Sequence, residues 1–376
     1  PASPCYPPVL AMLAAWLSAL LVVACAAASL ALLIVAVDPL VRQAHLPRSA
    51  IQTHSFATAP QGLCSIGDGR LLVCLGDTVE ELDTTTGGQR VWRSFEGALI
   101  ASAAPLCSRT IAVVDRRNHR ALIVAREDGF SSRSIGVLGS SRCRFCLPTA
   151  VACGELGLIA VCDVYNHRVV LFRDLTIAPN TCSLPSAPDL FSLAAWDFDN
   201  ENDQVISEDM PDPFLQHELL DQGEERNVAV LAPDVAYVRE VGPIVGLEPR
   251  PLCCPESVAM SQDAMYIADT ANHRILRVSL ESYESVATYP ERDAPMGALL
   301  APKGIAYDPF SCQLFVCDSG NNRIQVLSSN LEPLGEIGFG ELQSPRALAC
   351  YDRLLAVVHD GVPQLKIFRQ IEHVRC

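Results

Sequence analysis

Along residues 266–278 the chain reads Y-I-A-D-T-A-N-H-R-I-L-R-V: an apolar run, a polar turn and a second apolar run. Apolar side chains flanking so short a polar break predict two strands joined by a tight turn. The figure recurs as A-V-C-D-V-Y-N-H-R-V-V-L-F over 160–172, as F-V-C-D-S-G-N-N-R-I-Q-V-L over 315–327 and as V-V-D-R-R-N-H-R-A-L-I-V over 113–124. A small apolar strand opening on proline precedes most copies, in L-P-T-A-V-A from Leu147, C-P-E-S-V-A from Cys254, A-P-K-G-I-A from Ala301 and S-P-R-A-L-A from Ser344. From that proline to the Asp ending the next strand the distance is 15, 14, 16 and 15 residues. Such regularity marks one supersecondary unit repeated along the chain.

Counting strand-ending acids at Asp77, Asp115, Asp163, Asp269, Asp318 and Asp360 gives six units. Intervals of 38, 48, 49 and 42 residues each hold four strands, whereas the interval of 106 does not. The excess reads as an insertion over 174–234, between the third and fourth strands of the third unit. A worn seventh unit over 193–205 is the alternative, and six is the preferred count.

The opening P-x-G/A-I/V-A followed by V-x-D-x-x-N-H-R-I/V resembles the NHL repeat. The resemblance covers roughly residues 60–370 apart from the insertion, with four specific units and two degenerate ones. The unit of Asp77 lacks the Asn-His-Arg turn, the last has Asp360-Gly361-Val362-Pro363 in its place, and the unit of Asp115 lacks the proline. The resemblance implies an all-β, six-bladed β-propeller over 60–376. A strand within 48–56 is expected to complete the last blade, since closing the ring leaves no bare sheet edge.

Residues 1–8 form an N-terminal flank, and 9–37 are 29 residues without a charge, whose polar side chains are Ser18, Ser29 and the Trp16 indole. About 20 apolar residues cross a bilayer core, so 9–37 is read as a transmembrane helix. A cleaved leader is the rival, because Ala24-Cys25-Ala26 resembles a cleavage site, yet apolar sequence continues over 30–37. The expectation is a single-pass membrane protein. Arg42 and Arg48 follow the span, which leans the propeller toward the cytoplasm. Residues 38–59 form a polar connector.

The formal net charge is -15. Within 174–234 there are 14 acidic residues and one basic residue, Arg226, so the acidity is concentrated in the insertion. A chain with no basic excess argues against a nucleic-acid partner, which needs clustered Lys and Arg. The favoured function is a non-catalytic platform for a protein or peptide ligand, without a cofactor. Two alternatives stay open. One is a metal-dependent lyase or hydrolase, an activity found among NHL-type propellers. The other is an extracellular receptor-like module, against which stands the absence of any Asn-x-Ser/Thr sequon.

Four turns carry the most conspicuous polar groups: Asp115, Asn118, His119 and Arg120; Asp163, Asn166, His167 and Arg168; Asp269, Asn272, His273 and Arg274; Asp318, Asn321, Asn322 and Arg323. Three histidines around a ring suggest zinc. Use once per unit argues instead for a structural role: the Asp takes turn amides, and the Arg is expected to bridge to a neighbouring blade. Among 16 cysteines, Cys74, Cys162 and Cys317 occupy small apolar positions, whereas Cys143, Cys146, Cys253 and Cys254 precede inner-strand prolines. Those four are candidates for a zinc site or for disulfides. Inside the insertion, Asp197, Asp199, Glu201, Asp203 and Glu208 match the oxygen positions of a calcium loop, with Asn202 where glycine is required and Gln204 where an aliphatic residue is usual. The plainer reading of the insertion is a solvated loop.

Overall fold

The computed structural model describes residues 50–127, 132–177, 231–242, 251–290, 299–338 and 340–370. The apolar segment 9–37 and the calcium-like pattern 197–208 lie outside the described residues. Among the described residues no helix is long and apolar enough to cross a membrane.

Alternating apolar strands assemble into six four-stranded antiparallel sheets, the blades of a propeller. Blade 1 is β2 (Gly62–Gly67), β3 (Arg70–Leu75), β4 (Thr78–Asp83) and β5 (Gln89–Ser94). Blade 2 is β6 (Ile100–Pro105), β7 (Thr110–Asp115), β8 (Arg120–Ala125) and β9 (Ser132–Ile135). Blade 3 is β10 (Pro148–Cys153), β11 (Leu158–Asp163), β12 (Arg168–Asp174) and β13 (Val235–Val241). Blade 4 is β14 (Pro255–Met260), β15 (Ala264–Asp269), β16 (Arg274–Ser279) and β17 (Ser285–Tyr289). Blade 5 is β18 (Pro302–Asp308), β19 (Gln313–Asp318), β20 (Arg323–Ser328) and β21 (Pro333–Ile337). Blade 6 is β22 (Pro345–Tyr351), β23 (Leu354–His359) and β24 (Val362–Arg369), with β1 (Gln52–Ser55) paired antiparallel outside β24. The amide of Ala50 also donates to the Glu341 carboxylate at 2.9 Å, fixing β1 to the preceding blade junction.

The second strand of each blade is nearly continuous apolar sequence because both of its faces are covered by neighbouring blades. Burial therefore falls into six clusters, each shared by two adjacent blades. Val161 and Phe172 of blade 3 pack on Val114 and Ile123 of blade 2. Val358 and Leu365 of blade 6 pack on Leu71 and Val73 of blade 1, and the ring closes. Each such side chain contributes about 1.5–3 kcal/mol on burial. Gly304 allows the innermost strands to converge, since a Cβ there would lie 2.6 Å from the Arg346 carbonyl oxygen.

Register fixes which loops share a face. In blade 3, Asp163 pairs with Arg168 at the turn end of the sheet, and Leu158 pairs with Arg173 at the other end. The chain leaves β12 at that other end, so the insertion emerges on the face opposite the Asn-His-Arg turns. Two strand ends differ from the sequence reading. Leu75 and not Asp77 pairs at the end of β3, and a two-residue turn of Gly76 and Asp77 follows. His359 and not Asp360 faces Pro345, where Asp163 faces Pro148 and Asp269 faces Pro255. The cause is the same in both blades: a shortened turn shifts the acid out of the strand.

Candidate functional site

The turn face is built from a repeated polar unit. Asp269 is fully buried. Its Oδ1 accepts the Cys253 amide at 2.7 Å, and its Oδ2 accepts Asn272 Nδ2 at 2.8 Å and Arg274 Nε at 2.6 Å. Asp163 repeats the set with Cys146, Asn166 and Arg168. Asp318 does so with Leu300, Asn321 and Arg323, and Asp115 with Leu99, Asn118 and Arg120. A buried carboxylate is tolerable only when it is both paired and fully hydrogen-bonded, and each of these is.

Arg168 bonds within its own blade and the loop leading into it, where the sequence suggested a bridge to a neighbouring blade. Arg168 Nη1 reaches Glu240 in its own blade, and its Nη2 takes the carbonyls of Ser141 and Arg144 in the loop leading into that blade. The short guanidinium path to the turn Asp holds it at home. The seam is bridged by the histidine. His119 Nδ1 accepts the Leu147 amide at 3.0 Å, His167 the Cys254 amide at 3.1 Å and His273 the Ala301 amide at 3.0 Å, each in the next blade. Asn322 takes the same place, its Oδ1 accepting the Ser344 amide at 2.7 Å. Both partners of each seam bond have positive φ: His167 at 53° and Cys254 at 52°, for example. Thr270 and Ser319 add hydroxyl bonds to the carbonyls of Pro302 and Pro345.

The four candidate cysteines occupy two equivalent seams one blade apart. Cys146 takes the blade 2–blade 3 seam, as its amide bond to Asp163 shows, and Cys253 takes the blade 3–blade 4 seam through Asp269. The structure therefore gathers Cys253 and Cys254 with His167, and leaves Cys143 and Cys146 out of the group. Burial, with Cys253 beside it, pushes the Cys254 thiol up to about 11. Burial lowers His167, against the opposing pull of the Asp269 carboxylate.

The inner strands enclose a channel of about 280 Å³. Small residues line its middle, among them Ala103, Ala152, Ala259 and Ala349, and among the described residues no histidine lines it. At the turn end, Lys303 and Arg346 both pair with Asp360, at 2.9 and 3.1 Å. The acid that left the strand end thus offsets one of the two positive charges at the channel mouth. Between the outer parts of blades 1 and 2 lies a cleft with Arg70, Arg90 and Trp92. Two of the four arginines that line it, Arg70 and Arg90, are paired with Glu81.

The face opposite the turns has different chemistry. Phe310 is 94% exposed in the β18–β19 loop. That loop is ordered by Asp308, whose Oδ1 accepts the Phe310 amide at 3.1 Å and whose Oδ2 accepts the Ser311 hydroxyl at 2.6 Å. On the same face the ends of the insertion meet at one cation: Arg133 of β9 pairs with both Asp174 and Asp234. Desolvation works to raise the Asp174 carboxyl, but the Arg133 and Thr176 bonds outweigh it and hold it below its usual range.

The seam role of the histidines and the exposure of Phe310 were missed from sequence. An aromatic in the hairpin turn Asp308-Pro309-Phe310-Ser311 was the available signal for the second, since turns favour small polar residues. No protein-family model matches the chain, and no curated protein matches it. Among solved structures, it is similar to a chain of the mitotic checkpoint complex at 9% identity, over 87% of this chain and 94% of that one, with a TM-score of 0.52. Virginiamycin B lyase from Staphylococcus aureus aligns at 12% identity over 86% and 89%, with a TM-score of 0.49. A chain of the nidogen/laminin complex aligns at 15% over 77% and 84%, with a TM-score of 0.47. At these identities the likeness is one of fold.

Proposed function

We propose that this propeller is a non-catalytic platform for a protein or peptide ligand, tethered to a membrane through residues 9–37. The observation that carries the reading is Phe310, an almost fully exposed aromatic ring on a loop ordered by its own hydrogen bonds. Because these bonds already fix the loop backbone, binding has chiefly the side-chain rotamer left to order, which suits an interface anchor. The insertion, with a net charge of -13, leaves the ring of blades on the same face. The ligand class is therefore a basic segment presenting an apolar side chain. The tether rests on the uncharged run of 9–37 alone.

The test is selection of displayed random peptides on the full chain, with Phe310→Ser as a counter-target. Enriched peptides should combine Lys or Arg with an aromatic or aliphatic residue. They should bind Phe310→Ser about tenfold or more weakly, the loss of a buried anchor. Enrichment indifferent to Phe310, or no enrichment, would overturn the reading. Carbonate washing of membranes tests the tether: the chain should remain in the pellet, and release would count against it.

A further inference from the structure

We propose that His167, Cys253 and Cys254 form a binding site for a thiophilic cation of the zinc class, clamping blade 3 to blade 4 on the turn face. One ligand atom from each residue lies within 4.8 Å of the other two. The Sγ of Cys254 is 3.8 Å from His167 Nδ1. Tetrahedral zinc bonds of about 2.3 Å to sulfur and 2.0 Å to nitrogen set ligands roughly 3.3–3.8 Å apart, so the group needs only a small contraction. Two thiolates and an imidazole leave a fourth position for water.

The repeat supplies an internal comparison. At equivalent seams the pair facing the bridging side chain is Cys146-Leu147 against His119, Leu300-Ala301 against His273 and Gln343-Ser344 against Asn322. The imidazole alone is thus a seam acceptor. Among the described seams, that of blades 3 and 4 adds two adjacent thiols to it. Adjacent cysteines normally point apart. Here the positive φ of Cys254 at 52° turns the second one back toward the histidine. On binding, both thiols release their protons, and His167 Nδ1 gives the cation the lone pair that accepts the Cys254 amide.

The repeat also supplies the variant that separates ligation from folding. Asn322 shows that asparagine holds a seam, so His167→Asn keeps the seam acceptor and removes the imidazole. The probe is cobalt(II) titrated into the full chain with its thiols kept reduced, followed by zinc competition. The expected result is one saturable site with a thiolate-to-cobalt charge-transfer band, displaced by zinc, and a zinc-dependent rise in melting temperature. Cys253→Ser, Cys254→Ser and His167→Asn should each abolish the band at unchanged circular dichroism, while Cys146→Ser and His273→Asn should leave it intact. A band that survives His167→Asn or either seam Cys→Ser, or is lost with Cys146→Ser, would overturn the proposal. So would the absence of saturable binding.

Discussion

His273 and Asn322 perform one task with different chemistry: each accepts the amide before the next inner-strand proline. The His273 bond is exposed to water, so removing its acceptor costs about 0.5–1 kcal/mol, the net worth of one hydrogen bond. His273→Ala should lower the urea-derived unfolding free energy by about that amount, whereas His273→Asn should sit within about 0.5 kcal/mol of the parent. The repetition of histidine made service to the blade legible in sequence. Its partner was not legible, because the Cys254 amide lies 87 residues from His167 and only the ring brings them together. His359 gives the pH prediction. Burial lowers its pKa, Gln343 opposes through its backbone bond, and Lys366 adds to the lowering. A folded pKa below the unfolded value of about 6.5 means that its stabilising contribution is present above pH 6.5 and lost as pH falls toward the depressed value. Melting temperature should therefore decline on acidification from about pH 7.5 to 5, and His359→Gln should shallow that decline. An equal slope in the variant would remove His359 as the cause.

At the scale of the element, β1 and the neck of the insertion stand out. β1 is short, largely exposed and free of any repeat motif. A place for it came from counting strands in the last blade, not from its own composition, since an outermost strand has little apolar face to display. Deleting residues 50–56 from the full chain should lower the melting temperature by several degrees, because it bares β24 and uncovers Ile367 and Phe368. An unchanged melting curve would show that β1 does not close the ring. The neck depends on Arg133, whose partner Asp174 is buried while Asp234 is partly exposed. Arg133→Ala should cost about 2 kcal/mol, between the values of exposed and buried pairs. Chemical denaturation measures it, and a loss below about 0.5 kcal/mol would mean that the two acids are satisfied without it.

For the whole molecule, the number of blades was legible because four blades repeat the same apolar strand and polar turn, and the two with shortened turns still place an acid just beyond the strand. What the faces do was less legible, since a face is made of loops brought together from six separate stretches of sequence. One consequence is electrostatic. With a net -13 in 174–234, a Lys-rich probe peptide should associate faster at low ionic strength, its rate falling roughly tenfold by physiological salt. An association rate independent of salt would remove steering from the account. Another consequence follows from the sixth sheet, where Gln52 of β1 pairs with Ile367 of β24. Five blades are assembled from strands that follow one another in the chain, each able to form as soon as its own residues exist. The sixth sheet joins β1 to β24, the first and last of the described strands, so during synthesis β1 waits, unpaired, while the blades between them stack. Refolding should then show a fast phase for the local blades and a slower closing phase, the latter absent when residues 50–56 are removed.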